Sequence, residues 1–398
     1  MPGPLHGLKV LDFTSLLPGP AATLYLADLG AEVLRIVWTG RSDLVEITPP
    51  FLPGTAISAA GAYLGRGKRR LSLNLKAPAA VGVVKRLLAT YDILLEGYRP
   101  GVMSSLGLGY EDLRETNPCL IYCSLTGFGQ NGPWARKAGH DINYLALSGI
   151  MSHSGRRETG PPPLGIQVAD IAAGSFNAVI GILAAVIARR DSGQGQHVDV
   201  AMFDGLLALN VLATAGFLID DREPTPEGQM LNGGTVYDYY RTSDGQYLSV
   251  GALESKFFQT FCEALGYSGL ASQAGSETDA PDDLVQAKAE IGRIIAGQPL
   301  SHWLKIFQNI DACVEPVLSL GQALELDQTR ARKMIVELEG PEGRRLRQLG
   351  SPIKFSATTA ASSFVTAPDN TEGQGLLGAL GFRKEEIHQL IQTGVLAN

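Results

Sequence analysis

Cysteine is scarce: four in 398 residues, Cys119, Cys123, Cys262 and Cys313. That excludes a disulfide-built scaffold. Cys119 and Cys123 sit in an apolar run, Cys-Leu-Ile-Tyr-Cys, with no paired His/Cys cluster after it. No metal site is expected, and the thiols read as buried core residues in a reducing compartment. Charge is also sparse, at 18% of residues, with 33 Lys and Arg against 40 Asp and Glu for a net of −7. A mildly acidic chain is a poor non-specific binder of nucleic acid or membrane, and neither is expected as a partner. The longest apolar stretch, 176–188, ends in Arg189-Arg190-Asp191. It is short for a bilayer span and suits a buried helix. The start, Met-Pro-Gly-Pro-Leu-His, has no basic region followed by an apolar stretch. No signal peptide is therefore expected, and the expected location is cytoplasmic. Several signatures are missing too: no Walker-type loop, no His-Glu-x-x-His and no Gly-x-Ser-x-Gly.

What is present is apolar and alternating. Hydrophobic residues make up 45% of the chain, which excludes disorder. The length suits two domains or one large domain with an inserted lobe. Strand-like runs at 9–13, 32–37, 92–95 and 120–125 alternate with helical spacing at 21–29, 79–91 and 110–117. That order predicts a parallel sheet covered on both faces, an α/β, Rossmann-like unit. The first turn, Thr14-Ser15-Leu16-Leu17-Pro18-Gly19-Pro20, is not Gly-x-Gly-x-x-Gly, so a dinucleotide site is not expected. A long apolar helix with small residues follows over 170–190, then a strand at 197–201 and a helix at 203–218. The polar, Pro-rich stretch 220–229 reads as a linker. Beyond it, 235–241 and 246–250 flank Ser243-Asp244-Gly245, a hairpin signal. Helices at 254–265, 284–295 and 301–308 complete a smaller α+β lobe. The expected domains are 1–220, 221–330 and a C-terminal segment, 331–398, that returns to the large one.

Few residues are candidates for chemistry. Of six histidines, five read as structural or solvated. His140 differs: it lies in Lys137-Ala138-Gly139-His140-Asp141-Ile142-Asn143-Tyr144, at the start of an apolar helical run. The helix's positive end favours a neutral ring, which is a base. Asp170 follows Leu164-Gly165-Ile166-Gln167-Val168-Ala169 and precedes Ile-Ala-Ala-Gly. A carboxylate in so apolar a setting is a helix cap, an ion-pair member or a functional acid. Glu254 follows a strand and by itself reads as a helix-start acid. Three basic sites, Arg35, Gly65-Arg66-Gly67-Lys68-Arg69-Arg70 and Arg99, are expected at or near the carboxyl edge of the sheet. Both a phosphate site and a solvated face are open readings of them.

Taken together these segments resemble the family III CoA-transferase superfamily and, within it, the α-methylacyl-CoA racemases. The resemblance runs through Leu5-His6-Gly7-Leu8-Lys9-Val10-Leu11-Asp12-Phe13, Gly30-Ala31-Glu32-Val33-Leu34-Arg35 and Arg99-Pro100-Gly101. It continues through Leu125-Thr126-Gly127-Phe128-Gly129-Gln130-Asn131-Gly132-Pro133 and Gly193-Gln194-Gly195-Gln196. The racemases resemble this chain at Gly139-His140-Asp141, where the transferases have Gly-Phe-Asp. A third match is Met230-Leu231-Asn232-Gly233-Gly234 with Gly251-Ala252-Leu253-Glu254. One departure leans the other way: Ile166 stands where a racemase has asparagine.

The resemblance implies a two-base racemase or epimerase of 2-methyl-branched acyl-CoA thioesters. His140 and Asp170 would guard opposite faces of the α-carbon, and Glu254 would support the histidine. Such chemistry suits the residue types, since an α-proton of a thioester needs a group of intermediate acidity on each face. The runner-up is a CoA-transferase working through Asp170 as nucleophile. Implied CoA contacts are Arg35, Arg66, Lys68, Arg69, Arg99, Lys137, Asp141 and Tyr144. No cofactor is implied, CoA being part of the substrate, and the partner is a second copy in an interlocked homodimer.

Overall fold

A computed structural model describes residues 2–40, 42–267, 281–340, 343–360 and 371–397. The chain divides into two compact units. One comprises Met1–Ser148, Gly165–Leu209 and Asp327–Asn398, the other Gly149–Leu164 and Asn210–Leu326. The sequence placed the first boundary after residue 220, within reach of a single helix over 203–218. That helix is two, Met202–Leu209 and Val211–Asp220, because Asn210 leaves helical geometry at φ −80°, ψ 43°. The segment 149–164 carries no strong periodicity, so its membership in the second unit had no signal in the pattern.

In the first unit six strands form one parallel sheet: β1 Lys9–Phe13, β2 Glu32–Trp38, β3 Lys68–Leu73, β4 Ile93–Glu96, β5 Ile121–Thr126 and β6 Gln196–Ala201. Their spatial order is β3-β2-β1-β4-β5-β6, that of a doubly wound α/β fold. Strands buried on both faces read as apolar runs rather than alternations. Val10, Leu11, Leu34, Leu94 and Ile121 are accordingly inaccessible to solvent. The helix Pro18–Asp28 starts on proline, whose fixed φ suits a first turn. It packs on the segment Ala169–Phe176, with Tyr25 edge-on to Phe176 at 5.2 Å. A C-terminal helix, Thr371–Ala379, brings Leu376 and Leu377 into the core that holds Leu71 and Leu73. The last residues then run beside β3: Asn74 N–H donates to Val395 O at 2.8 Å, and Ala397 N–H donates to Ser72 O at 3.2 Å.

The expected strands and helices of 9–126 are present, and the basic cluster, open between a phosphate site and a solvated face, runs into a further strand, β3. Cys123 and Cys262 are buried, whereas Cys119 and Cys313 are exposed rather than core thiols. Cys119 lies in the turn before β5 and gives its thiol to Gly193 O at 3.1 Å, and Cys313 has a positive φ of 54°. The helical stretch Ala169–Ser192 is long and apolar enough to cross a membrane, as the core helix of a soluble protein can also be. The stretch suits a buried helix, and Ile182, Ala185 and Val186 are buried, but one face is open: Ile180 and Ile187 are each 62% exposed.

The second unit holds a three-stranded antiparallel sheet, β7 Asp238–Arg241, β8 Tyr247–Val250 and β9 Val314–Pro316. The hairpin β7–β8 turns through Ser243-Asp244-Gly245, as its turn residues predict. Helices Ser255–Ala264, Pro281–Ala296 and Leu300–Phe307 cover it around Phe261, Ile291, Ile295 and Trp303. An antiparallel pair, β10 Ile335–Glu339 and β11 Arg345–Leu349, belongs to the first unit.

Candidate active site

In this strand order the chain winds one way from β1 and the other way from β4, so a crevice opens between their carboxyl ends. A cavity of about 810 Å³ occupies that place. Its walls are the turn Thr14–Gly19 after β1, Gly97–Pro100 after β4, Leu125–Gly127 after β5, and Lys137, Gly139, His140, Tyr144 and Asp170.

The β1 turn is fixed from beneath. Asp12, fully buried, accepts from Thr14 N–H at 2.9 Å, Thr14 Oγ1 at 2.5 Å and Thr23 Oγ1 at 2.5 Å. Lys68 Nζ stands 3.5 Å from the same carboxylate and donates to Pro20 O at 2.7 Å and Thr23 Oγ1 at 2.6 Å. Burial pulls the Lys68 ammonium down to about 8, against the pull of Asp12.

His140 is the residue before the helix Asp141–Leu147 and is exposed to the cavity. Its N–H donates to Asn143 Oδ1 at 3.0 Å, which fixes where the helix begins. The Tyr144 ring fills the space beside Gly127 and Gly139, where a Cβ would lie 2.6 Å from it. Its hydroxyl donates to Gly139 O at 2.6 Å and so braces the turn that carries His140.

Asp141 turns the other way. Its Oδ1 accepts the N–H groups of Ala169 at 2.6 Å and Asp170 at 3.1 Å. One side chain thereby caps the helix that presents Asp170 and ties it to the residue next to His140. The helix is wound wide over Ala169–Phe176, as such segments often are at functional sites. Ser175 Oγ pins it by donating to Pro18 O at 2.6 Å. Asp170 is partly buried, and burial pushes its carboxyl up to about 6. The charge of Asp141 adds to the rise and His140 opposes it. The cavity thus contains an imidazole and a carboxyl that titrates near neutrality.

Two cations face the cavity without a carboxylate partner among the described residues, Arg99 and Lys137. Lys137 Nζ sits 4.6 Å from the centre of the Trp134 ring. The other expected phosphate contacts lie elsewhere. β3 begins at Lys68, so Arg66, Lys68 and Arg69 are at the amino edge of the sheet, opposite the crevice. Arg66 is 1% exposed and grips Asp28 through Nη2 at 2.5 Å and Nε at 3.1 Å. Arg69 reaches Glu32 at 3.7 Å. Arg35 is in the middle of β2 rather than at its end, and its guanidinium is bound by Asp43 at 2.7 Å and Glu46 at 2.6 Å. Arg66 and Lys68 are therefore corrected to structural cations. Arg66 is bound by Asp28, Lys68 by Pro20 O and Thr23, and neither residue lines the crevice. Asp141 and Tyr144 act on the site through backbone groups. Glu254 is exposed in the second unit, directly before the helix Ser255–Ala264. Ile166 is 69% exposed, and Asp170 N–H is satisfied by Asp141 instead.

Sequence reasoning passed over Asp12 and Glu96. Both were legible as carboxylates inside buried strands, Val-Leu-Asp-Phe and Ile-Leu-Leu-Glu, where burial demands a partner or a purpose. Among the described residues no grouping of His, Cys, Asp and Glu could hold a metal.

Comparisons with known proteins fit this arrangement. The family model for CoA-transferase family III matches residues 5–372. The chain is 37% identical over 97% of its length to human "Alpha-methylacyl-CoA racemase", covering 96% of that protein. It is also 31% identical over 89% of its length to human "Succinyl-CoA:glutarate CoA-transferase", covering 80% of it. Among solved structures, a CAIB/BAIF family protein from Brucella suis superposes with a TM-score of 0.82 at 28% identity, over 96% of this chain and all of that one. With the match spanning both units and the crevice at the switch point, this chain belongs to CoA-transferase family III.

Proposed function

We propose that the protein is a racemase or epimerase of 2-methyl-branched acyl-CoA thioesters. The observation that carries this reading is that His140 and Asp170 face one cavity and are tied by Asp141. One of them removes the α-proton, leaving an enolate, and the other delivers its proton to the opposite face. The pair ends with its protonation states exchanged, and solvent resets it. A carboxyl near 6 is suited to both directions, because it neither holds nor releases its proton too firmly. Arg99 and Lys137 would hold the CoA phosphates, and no cofactor is needed beyond the CoA of the substrate. The turn at Gly139–Asp141, braced by Tyr144, would point helix N–H groups at the enolate oxygen.

The second reading is CoA transfer. There the Asp170 carboxylate attacks the thioester carbonyl, the C–S bond breaks and CoA thiolate leaves an acyl anhydride on the enzyme. The presence of Ile166 and the relatives that are transferases favour it. Incubating one stereoisomer of a 2-methylacyl-CoA in deuterated water separates the two. Deuterium at the α-carbon with loss of optical purity is the racemase result. Exchange of CoA onto an added free acid without label uptake would establish the transferase instead.

Glu254 is proposed to support the imidazolium that forms on His140. Glu254→Gln should lower kcat and shift the basic limb of the pH–rate profile while leaving KM near its starting value. A changed KM with an unmoved profile would count against that role. A second copy of the chain is the proposed partner, consistent with the open apolar stripe of Phe176, Ile180 and Ile187. Sedimentation of a monomer at working concentration would remove it.

A further inference from the structure

A second, smaller cavity of about 140 Å³ lies behind the first, and Arg99 and Pro100 line both. Its floor is Glu96, the last residue of β4, which is 4% exposed. Glu96 Oε2 accepts Tyr98 N–H at 2.8 Å, so it anchors the loop that carries Arg99. On the next strand Ser124 stands level with Glu96 and hydrogen-bonds it. The Ser124 Oγ also lies 2.9 Å from His197 Nε2 on β6. His197 is stacked on Tyr110 and edge-on to Tyr122, each at 5.4 Å, so its ring cannot swing away. None of this chain of groups has a part in the chemistry above.

We propose that Glu96 is a positioning residue for the substrate-binding arginine: ionised, it offers Arg99 a partner in the small cavity and competes with the CoA phosphates; protonated, it releases it. This rests on the reading that Arg99 holds CoA. Geometry makes the competition possible, because Arg99 borders both cavities and makes no ion pair among the described residues. The surroundings make Glu96 responsive. Burial pushes its carboxyl up to about 7, with Asp199 adding to the rise and Ser124 and Tyr98 N–H opposing it. The charged and titratable groups around it are few. They are Asp12 on β1, Tyr122 and Cys123 on β5, His197 and Asp199 on β6, Tyr110, Glu111 and Asp112 on the helix Tyr110–Arg114, and Arg99 on its own loop. Arg136 approaches that loop at Gly101. Burial pulls the His197 ring down, toward its neutral form, which leaves Glu96 as the carboxyl among these hydrogen-bonded groups that changes charge near neutrality.

The test is binding of free CoA by calorimetry to the whole protein, wild type and Glu96→Gln, at about pH 6 and about pH 8.5, on either side of the Glu96 titration. Glutamine keeps an acceptor for Tyr98 N–H and has no charge to gain. The two proteins should bind alike at the lower pH, and wild type should bind roughly fivefold more weakly than the variant at the higher one. Parallel pH profiles would overturn the proposal. Should Glu96→Gln fail to fold, Ser124→Ala decides. It removes a hydrogen bond that favours the carboxylate, so the loss of affinity must move to higher pH, and an unmoved profile overturns the proposal equally. Absence of CoA binding to wild type at either pH would instead sink the reading of Arg99 and of the cavity, which separates the two failures.

Discussion

His140→Ala and Asp170→Ala are each expected to lower racemisation by about 10²–10⁴ in kcat, the usual contribution of a positioned acid or base. The two losses differ in kind. Without His140, the face it serves is silent, and Asp170 can still exchange the proton it reaches with solvent. One stereoisomer should then keep slow deuterium exchange without inversion, and the mirror result should follow from Asp170→Ala. Asp170 also sets a pH dependence. In the direction in which it is the base, kcat/KM should fall as pH drops through about 6, since the raised carboxyl is protonated below that value. In the opposite direction, where it is the acid, the same group must be protonated and the limb reverses. Full turnover in His140→Ala would end the two-base reading and leave the nucleophilic role of Asp170.

Arg66→Ala should destabilise the fold rather than weaken substrate binding. Removing one partner of a buried ion pair strands the other, at a cost of about 3–5 kcal/mol. Here the stranded group is Asp28, 4% exposed, and the lost guanidinium also gave a hydrogen bond to Leu349 O at 2.5 Å. The midpoint of denaturant unfolding should drop while KM of the surviving enzyme stays put. Arg99→Ala is the counterpart: with Arg99 exposed and in no ion pair among the described residues, it should leave the midpoint alone and raise KM for CoA esters with little change in kcat. If Arg66→Ala kept its midpoint and raised KM, the assignment of the two arginines would have to be reversed.

The contrast between those arginines shows where the sequence stops being legible. The sheet could be read because burial on both faces writes apolar runs into β1, β4 and β5. His140 and Asp170 could be singled out because a helix start and an apolar setting are local features. The basic cluster could not be resolved. Lys-Arg-Arg-Leu-Ser-Leu looks like a charged surface, and only long-range pairing shows it to be a strand. The carboxylates that neutralise it, Asp12, Glu32 and Glu46, come from other elements. The capping role of Asp141 is hidden for a similar reason: the N–H groups that donate to its carboxylate lie at Ala169 and Asp170, beyond the reach of any local pattern. Glu254 remains a matter of resemblance, since it is a helix-start acid by every local measure.

The segment that covers β3 has a consequence for association. β3 is the outermost strand on its side of the sheet, and the backbone along it is met by Val395, Leu396 and Ala397. Without that segment β3 is a bare edge able to pair with any extended chain nearby. A variant in which 395–397 cannot dock would leave the crevice and its chemistry untouched, yet open that edge to aggregation.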